Sequence, residues 1–557
     1  MLKKFRVTTR KVLGSVAVLA FSLALVGCGE TPSGGGSDSP SETASDAGDN
    51  GVIKVATIDK LYSLDPAGSY DNGSFQVQIQ VFPMLFNYDH ESKSIAPDLA
   101  ESGEYTAPDE YTVKLKADAK WSDGSPITSE DVKFSYDRVI KINDESGPAS
   151  LLGNIVETTA PDATTVVFKL ANQNDQVFPS ILGSPAGVIV PKATFKEDAI
   201  TDPDTIVAGG VFGGQYTLKT FKMNEFIEFE ANPNYTGVWG TPKTAQIQLQ
   251  YLADASNLRL SIENGDVDVA FRTLTPTDIA DLRNNPDVKV VQGPGGEERY
   301  IVFNLELQPF GEKTSTPDSN KALAVRQAAA HLIDRVQIAD SVYKNTYTPV
   351  YSPVTDGLLG ATAPYKELYG DGQGGPDFAK AKKVLEDAEI EYPVELQLQY
   401  NPDHYGASSA DEYALIKNQL EAEVDGAKLF SVELQGTEWV TYNKARLDSY
   451  PAYQLGWYPD YPDADNYVSP FFGPNNFLHS GYANEEVNKL IINQQTEADS
   501  TKRADFLTQI QDIVAKDVPT LPLLQGDQIA VVRANVSGAD QTLDPSFKFT
   551  YGYLSKS

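Results

Sequence analysis

One aspartate in an aromatic, proline-rich stretch has the clearest chemical use in this sequence. A carboxylate such as Asp460 can balance a cation that has lost its water in an enclosed site, because a buried charge is tolerated only with a partner. Its neighbours Trp457, Tyr458 and Tyr461 are aromatic, and aromatic rings give a large contact area at little cost in rotamer entropy. The alternative is that Asp460 caps a surface turn and that the rings pack inside the protein.

Other patterns with chemical meaning are absent from the sequence or weak. There is no GxSxG elbow, HExxH helix or Walker A loop, and residues 370–375, which match GxGxxG, lack a preceding strand and are followed by Pro376. Asp463 and Asp465 are interpreted as turn and helix-cap residues. We expect no catalytic residue, no cofactor and no metal site. The histidines show no metal-ligand spacing and are predicted to be surface or packing residues: His90, His331, His404 and His479.

The charge of the chain limits its partners. The formal net charge is −32, and residues 1–27 hold five basic residues and no acidic ones, so the remainder carries −37. Phosphate backbones repel so acidic a body, which excludes nucleic acid as a partner. An apolar content of 41% and a length of 557 residues predict a globular protein with several compact units. We expect it to be a monomer.

The amino terminus predicts the compartment. Basic residues precede an apolar run at residues 12–26, which at 15 residues is shorter than the ~20 that a membrane-spanning helix needs. Residues 1–27 are therefore interpreted as a secretory signal peptide. The sequence Leu25-Val26-Gly27-Cys28 resembles the lipobox of bacterial lipoproteins, which implies that Cys28 carries lipid. Residues 28–51, rich in Gly, Ser and Asp, are predicted to form a flexible tether.

Strand-like and helix-like segments alternate after the tether, which predicts an α/β fold. Residues 52–56 predict a buried strand, and residues 111–115 alternate with the period of a half-exposed strand. Thr128 and Asp131 have the spacing of a capping box and predict that a helix begins there. Three further helices are predicted by composition and periodicity, at residues 320–335, 376–388 and 503–516.

Several spaced motifs together resemble one protein family. Residues 121–128 (WSDGSPIT), followed by Glu130-Asp131-Val132, resemble the signature of family 5 extracellular solute-binding proteins, the peptide-, dipeptide- and nickel-type binding subunits of ABC importers. Further matches follow in the family's order, while Gly213-Gly214-Gln215-Tyr216 departs from the common Gly-Pro-Tyr. The resemblance covers residues 52–551 and includes Leu64-Asp65-Pro66, Asn232-Pro233-Asn234-Tyr235, Val325-Arg326-Gln327-Ala328 and Gly456-Trp457.

The resemblance implies a periplasmic-binding-protein-like fold, with two α/β lobes joined by a hinge and an extra domain beside the first lobe. Ligand is buried between the lobes when they close. The first lobe is expected to be discontinuous, at residues 52–75, 200–297 and 519–557. The extra domain is expected at residues 76–199 and the second lobe at residues 298–518.

The resemblance also implies roles for particular residues. In peptide-binding relatives the aspartate that matches Asp460 accepts the α-ammonium of the peptide. Tyr70 and Asn72 match a segment that runs along the ligand, and Trp439 lies upstream of the Asp460 stretch. With Trp457, Tyr458 and Tyr461 these are the expected ligand-binding residues. No residue matches a clamp for the peptide carboxylate, and Lys444 and Arg446 are predicted to lie on exposed surface.

The sequence therefore predicts a lipid-anchored, extracytoplasmic receptor that captures peptides and delivers them to an ABC permease. Two alternatives stay open. The same receptor could bind another solute, such as an oligosaccharide or a metal chelate, because aromatic residues also suit sugar stacking. A secreted, lipid-tethered hydrolase or adhesin is the alternative from another class, although the sequence marks no nucleophile for it.

Overall fold

A computed structural model describes residues 51–92, 94–545 and 548–557 of the chain. The predicted signal peptide, Cys28 and nearly all of the predicted tether lie outside these residues. Among the described residues, no helix has the length and apolar composition needed to cross a membrane.

One sheet of eleven strands runs through both lobes. Its first half contains the predicted strand at residues 52–56, observed as Val52–Thr57, which is parallel to both of its neighbours. Two long antiparallel strands, Val288–Phe303 and Thr520–Arg533, belong to both halves. The other strands of the first half are Tyr216–Lys222, Phe226–Ala231, Gln246–Tyr251 and Val269–Phe271, and those of the second are Tyr347–Pro349, Val394–Tyr400, Phe430–Gly436 and Ala452–Trp457.

The two long strands change register midway. Gly293 faces Gln528, but the next regular pair is Glu297 with Gly526, so the first strand carries two extra residues at this point. Gly295 allows the close approach there, since a Cβ on it would lie 1.9 Å from the Gly526 carbonyl oxygen. A ladder interrupted in this way is the natural place for the backbone to bend.

The lobe limits expected from the sequence stay predictions. The strand pairing bears on one of them, the limit at residue 519. The residue opposite Glu297 is Gly526, so residues 520–525 pair within the second half of the sheet. Leu521 and Leu523 pack in one hydrophobic cluster with Val325 and Leu396 of that half. The limit expected at residue 519 lies just after the helix Ser500–Asp517, whereas the pairing of the long strand passes from one half of the sheet to the other near Gly526.

A separate four-stranded sheet occupies part of the range expected for the extra domain. Its order is Ala100–Ala107, Glu110–Leu115, Thr165–Leu170 and Ile155–Asp162, all antiparallel. Thr128 is the N-cap of the helix Ser129–Ile142, and the Asp131 carboxylate accepts from the Thr128 backbone N–H at 3.0 Å, so the predicted capping box is confirmed. Short strand pairs complete the sheets: Phe86–Asp89 with Ser94–Pro97, Glu423–Val424 with Ala427–Lys428, and Val536–Ser537 with Ser555–Lys556.

The predicted helices are observed, with small shifts at their ends. The segment predicted at residues 320–335 is Ser319–Leu332, followed by a second helix at Arg335–Ser341. The others are Phe378–Asp387 and Ser500–Asp517, each capped by an aspartate side chain. The remaining α-helices are Asn72–Val81, Phe178–Ile181, Pro203–Gly209, Ala255–Asn264, Pro276–Leu282, Pro364–Leu368, Ser408–Leu420, Trp439–Ala445, Asp465–Phe472 and Glu485–Thr496.

A buried ion pair joins the Leu64-Asp65-Pro66 segment to the helix that begins in the 121–132 motif. Arg138, on the helix Ser129–Ile142, donates to both carboxylate oxygens of Asp65 at 2.7 and 2.8 Å. The backbone N–H groups of Ala67 and Thr201 donate to the same carboxylate at 3.0 and 2.7 Å. Both side chains are almost fully buried, at 1% and 0% exposure. The pair thus fixes the chain just before Tyr70 against the helix Ser129–Ile142.

Replacement of Arg138 by Leu should therefore destabilise the protein strongly. The change leaves the Asp65 carboxylate buried without its cation, a loss typically of about 3–5 kcal/mol in the free energy of unfolding. Urea unfolding followed by circular dichroism would measure it. The matched control is Lys141→Ala on the same helix, which breaks an exposed pair with Glu197 and should leave the midpoint unchanged. Equal midpoint shifts in the two variants would contradict a structural role for the Arg138 pair.

Candidate functional site

A cavity of 440 Å³ lies between the segment that follows Asp65 and the end of the strand Ala452–Trp457. Six of the seven predicted ligand-binding residues line it: Tyr70, Asn72, Trp439, Trp457, Tyr458 and Asp460. Its other walls come from Asp71, Phe75, Pro185, His404, Tyr405, Leu455, Gly456, Pro459 and Phe477. The fold therefore brings together residues that are up to 390 positions apart.

One buried amide positions the Asp460 stretch. The Asn466 Oδ1 accepts from the Trp457 Nε1 at 2.8 Å and from the Asp460 backbone N–H at 2.9 Å. The Asn466 Nδ2 donates to the Asp460 Oδ2 at 3.0 Å. Asn466 is 2% exposed, so no water competes for these bonds. The sequence did not single out Asn466, because an amide six residues along the chain has no signature of its own.

Asp460 is a carboxylate without a cation. Its Oδ1 accepts from the hydroxyl of Tyr70 on the opposite wall, and its Oδ2 accepts from Asn466. Within the described part of the chain, no basic side chain forms an ion pair with it. Burial raises the pKa of Asp460 from its ordinary value of 3.8 to about 6, only partly offset by the Asn466 hydrogen bond. The site thus carries a desolvated negative charge that a cation would stabilise.

Aromatic side chains form much of the remaining wall. Trp439 stacks on His404 with ring centroids 3.9 Å apart and an interplanar angle of 10°. Trp457 meets Phe471 edge to face at 5.0 Å, which fixes its indole ring. Tyr458 is 38% exposed, so much of its ring is open to a ligand. Planar faces of this kind bind varied side chains without a fixed hydrogen-bond pattern.

Two residues near the Asp460 stretch lie elsewhere than expected. Tyr461 does not line the cavity; it is 6% exposed, packs in the hydrophobic cluster of the four-stranded sheet and donates to Asp465 at 3.3 Å. Arg446 was predicted to be exposed, and this is wrong: it is 3% exposed, and its guanidinium lies 4.6 Å from the centroid of the Phe477 ring. The planar guanidinium of arginine stacks on an aromatic ring and is more weakly hydrated than a lysine ammonium, so it can be buried here. Lys444 is exposed.

Other polar residues of the region have structural partners. Asp463 forms a two-bond ion pair with Arg503 at 2.9 and 2.7 Å and accepts from the Asp465 backbone N–H at 2.8 Å. His404 lines the cavity, although the sequence interpreted it only as a surface or packing residue. The loop at residues 370–375 lies between two helices and carries no preceding strand, as predicted.

Comparison with known proteins decides the family. A model of the bacterial extracellular solute-binding proteins, family 5 middle, matches residues 94–478, which is more than half of the chain. This chain belongs to family 5 of the bacterial extracellular solute-binding proteins. The resemblance seen in the motifs is thereby confirmed. Family 5 members are extracytoplasmic binding proteins.

Family 5 relatives match the chain over most of its length. The probable D,D-dipeptide-binding periplasmic protein DdpA of Escherichia coli is 26% identical, over 86% of this chain and 89% of its own. The dipeptide-binding protein DppE of Bacillus subtilis is 24% identical, over 95% and 96%. The unliganded open form of the murein tripeptide binding protein MppA superposes with a TM-score of 0.75 at 21% identity, over 91% of this chain and 98% of its own. The predicted two-lobe α/β fold is confirmed.

The raised pKa of Asp460 predicts a stability change that depends on pH. In the unfolded chain this carboxyl ionises near pH 4, but in the folded protein it holds its proton up to about pH 6. Its contribution to stability is therefore present at acid pH and lost as the pH rises through 6. Asp460→Asn should raise the free energy of unfolding of the ligand-free protein at pH 7.5 by up to about 3 kcal/mol. The gain should vanish near pH 4.

Urea unfolding at both pH values measures this effect. The control is Asp463→Asn, which breaks the ion pair with Arg503 and should lower the stability at pH 7.5. A ligand-free Asp460→Asn protein that is no more stable than the wild type at pH 7.5 would show that the carboxylate is not strained by burial.

Proposed function

We propose that this protein is the solute-binding subunit of an ABC importer, that it captures peptides between its two lobes, and that it delivers them to a membrane permease. The observation that carries the proposal is Asp460, a carboxylate on the cavity wall with a raised pKa and no cation among the described residues. The α-ammonium of a peptide supplies the missing charge. The names of the dipeptide-binding relatives support the same class of ligand.

The hydrogen bonds at Asp460 leave room for an amine. A carboxylate offers about four lone-pair sites, and Tyr70 and Asn466 occupy two of them. An ammonium at the remaining sites would form charge-assisted hydrogen bonds in a setting with little water, where such bonds are strongest. Tyr70 and Asn72 from one wall and Trp439, Trp457 and Tyr458 from the other would contact the rest of the peptide.

The strand crossing allows the capture step. Within the described residues, one continuous pair of strands belongs to both lobes, and that pair is interrupted between Gly293 and Glu297. Rotation at this point would bring the two walls together around a ligand and exclude water. We propose no catalytic role, since a receptor of this kind releases its cargo unchanged; hydrolysis of any bound peptide would instead favour the hydrolase alternative.

A double cycle tests whether Asp460 binds the amine. Asp460→Asn keeps the side-chain shape but removes the charge, and should weaken peptide binding by about 2–5 kcal/mol, or roughly 30- to several-thousand-fold. Acetylation of the peptide's amino terminus should cost the wild type a similar amount. It should cost the variant little more, because the pair is already broken. Isothermal titration calorimetry would measure all four affinities.

The outcomes of this cycle are distinct. Additive losses would show that Asp460 and the amine do not interact, and the site assignment would fall. Tyr62→Phe, an exposed tyrosine outside the cavity, serves as a control and should bind like the wild type. A melting temperature that no peptide raises, but that an oligosaccharide or a metal chelate does, would support the non-peptide alternative.

We also propose that the mature protein is anchored by lipid on Cys28 and is monomeric. Two or more acyl chains, at ~0.8 kcal/mol per buried methylene, hold a protein on a membrane where a single chain would not. Cys28→Ser should therefore move the protein from the membrane fraction to the soluble fraction without changing its melting temperature. Cell fractionation and blotting measure this change. Retention on washed membranes would refute the lipid anchor.

A further inference from the structure

A second cavity, of 340 Å³, adjoins the one at Asp460, and we call it the side chamber. The two cavities share Tyr405 and Tyr458 as lining residues. The side chamber reaches from the interrupted strand pairing at residues 293–297 to the loop after the strand Val269–Phe271. Its walls include four tyrosines, and its ionisable lining residues are Arg272, Glu297, Arg299 and Asp527.

The central charges of the side chamber are satisfied within the protein. Arg299 donates its Nε to Glu297 at 3.0 Å, its Nη1 to the Tyr343 hydroxyl at 2.8 Å and its Nη2 to the Tyr347 hydroxyl at 3.0 Å. The Nη2 also donates to the Tyr405 carbonyl at 3.0 Å. The other oxygen of Glu297 accepts from Tyr347 at 2.8 Å. Neither charge is left to attract a ligand group.

The outer charges also have partners in the protein. Arg272 forms an ion pair with Asp59 at 3.0 Å. Asp527 accepts hydrogen bonds from Gln292 and Thr348, and burial raises its pKa, which favours its neutral form. A charged group that entered the side chamber would lose its water and would have to compete with these bonds for a counter-ion. The surface left for a ligand is mainly aromatic and aliphatic, with a few uncharged polar side chains such as Thr273, Thr346 and Ser408.

We propose that the side chamber is a specificity pocket for one bulky, uncharged side chain of the bound peptide. This inference rests on the proposed function. Tyr458 lies two residues before Asp460 and lines both cavities, so the side chain that enters belongs to a residue near the peptide's amino end. Phenylalanine, tyrosine and leucine suit the pocket, because the tyrosine walls give planar contact while the paired charges give no counter-ion to lysine or glutamate.

A series of tripeptides tests the preference. Each peptide places Ala, Phe, Leu, Lys or Glu at its first or its second position, with Ala elsewhere, and calorimetry gives the affinities. At one of the two positions Phe and Leu should bind about tenfold or more tighter than Ala, as expected for burial of a large apolar side chain. Lys and Glu should bind no tighter than Ala there. Equal affinities across the series, or a preference for a charged side chain, would overturn the proposal.

A filled pocket provides the second test. Ala407 is exposed, precedes the helix Ser408–Leu420 and lines the side chamber, so Ala407→Phe should occupy the space from a position that tolerates a larger residue. The ratio of the Phe-peptide to the Ala-peptide affinity should fall towards one. Ala422→Phe, another exposed alanine but outside the side chamber, is the matched control and should keep the wild-type ratio. An unchanged ratio in Ala407→Phe would place the side chain elsewhere.

These results separate the two proposals. If no peptide raises the melting temperature and none binds, the proposed function fails and the specificity pocket fails with it. If the peptides bind and acetylation of the amino terminus weakens them, but the side-chain series is flat, only the pocket assignment fails.

Discussion

The antiparallel pairing of Val288–Phe303 with Thr520–Arg533 is the contact on which the rest of the structure depends. The two halves of the large sheet are built on this pair, and the strand Ala452–Trp457, which leads directly to Asp460, pairs with the first of the two. The side chains of Glu297 and Arg299 come from the same strand and form the floor of the side chamber. The positions of both cavities therefore depend on the residues where the strand pairing is interrupted, and a bend there would change the shape of both.

Asp460 differs from Asp65 and Asp463 in having no cation beside it within the described residues. Tyr70 and Asn466 donate hydrogen bonds to its carboxylate, but neither of them is a cation. The free energy lost when the carboxylate leaves water is therefore not fully compensated in the ligand-free protein. By contrast, Asp65 and Asp463 have arginine partners at close range, and their carboxylates stabilise the fold. The three aspartates differ in their surroundings rather than in their chemistry. Asp460 is half-buried and lacks a cation among the described residues, and a cationic ligand of the kind proposed above would complete its surroundings.

Local patterns predicted much of the fold, and linear motifs singled out six residues that line one cavity. The strand Val52–Thr57 and the capping box at Thr128 depend on neighbouring residues only, so their signals are visible in the sequence. The contact between Tyr70 and Asp460 joins residues 390 positions apart, and no local pattern encodes it. Tyr461 shares the Asp460 motif, yet it faces the extra domain, because adjacent residues on a loop point in different directions. The motif predicted the loop but not the direction of each side chain.

The pKa of Asp460 near 6 has a consequence for how the protein exchanges protons with its surroundings. At mildly acid pH an appreciable share of the empty molecules carries a proton on this carboxyl, and an ammonium bound beside it would expel that proton. Capture of each cargo molecule would then release a fraction of a proton, and the heat of binding would vary with the ionisation enthalpy of the buffer. With the amine bound at Asp460 as proposed, acidification of the medium would protonate the carboxyl and weaken the binding of that amine.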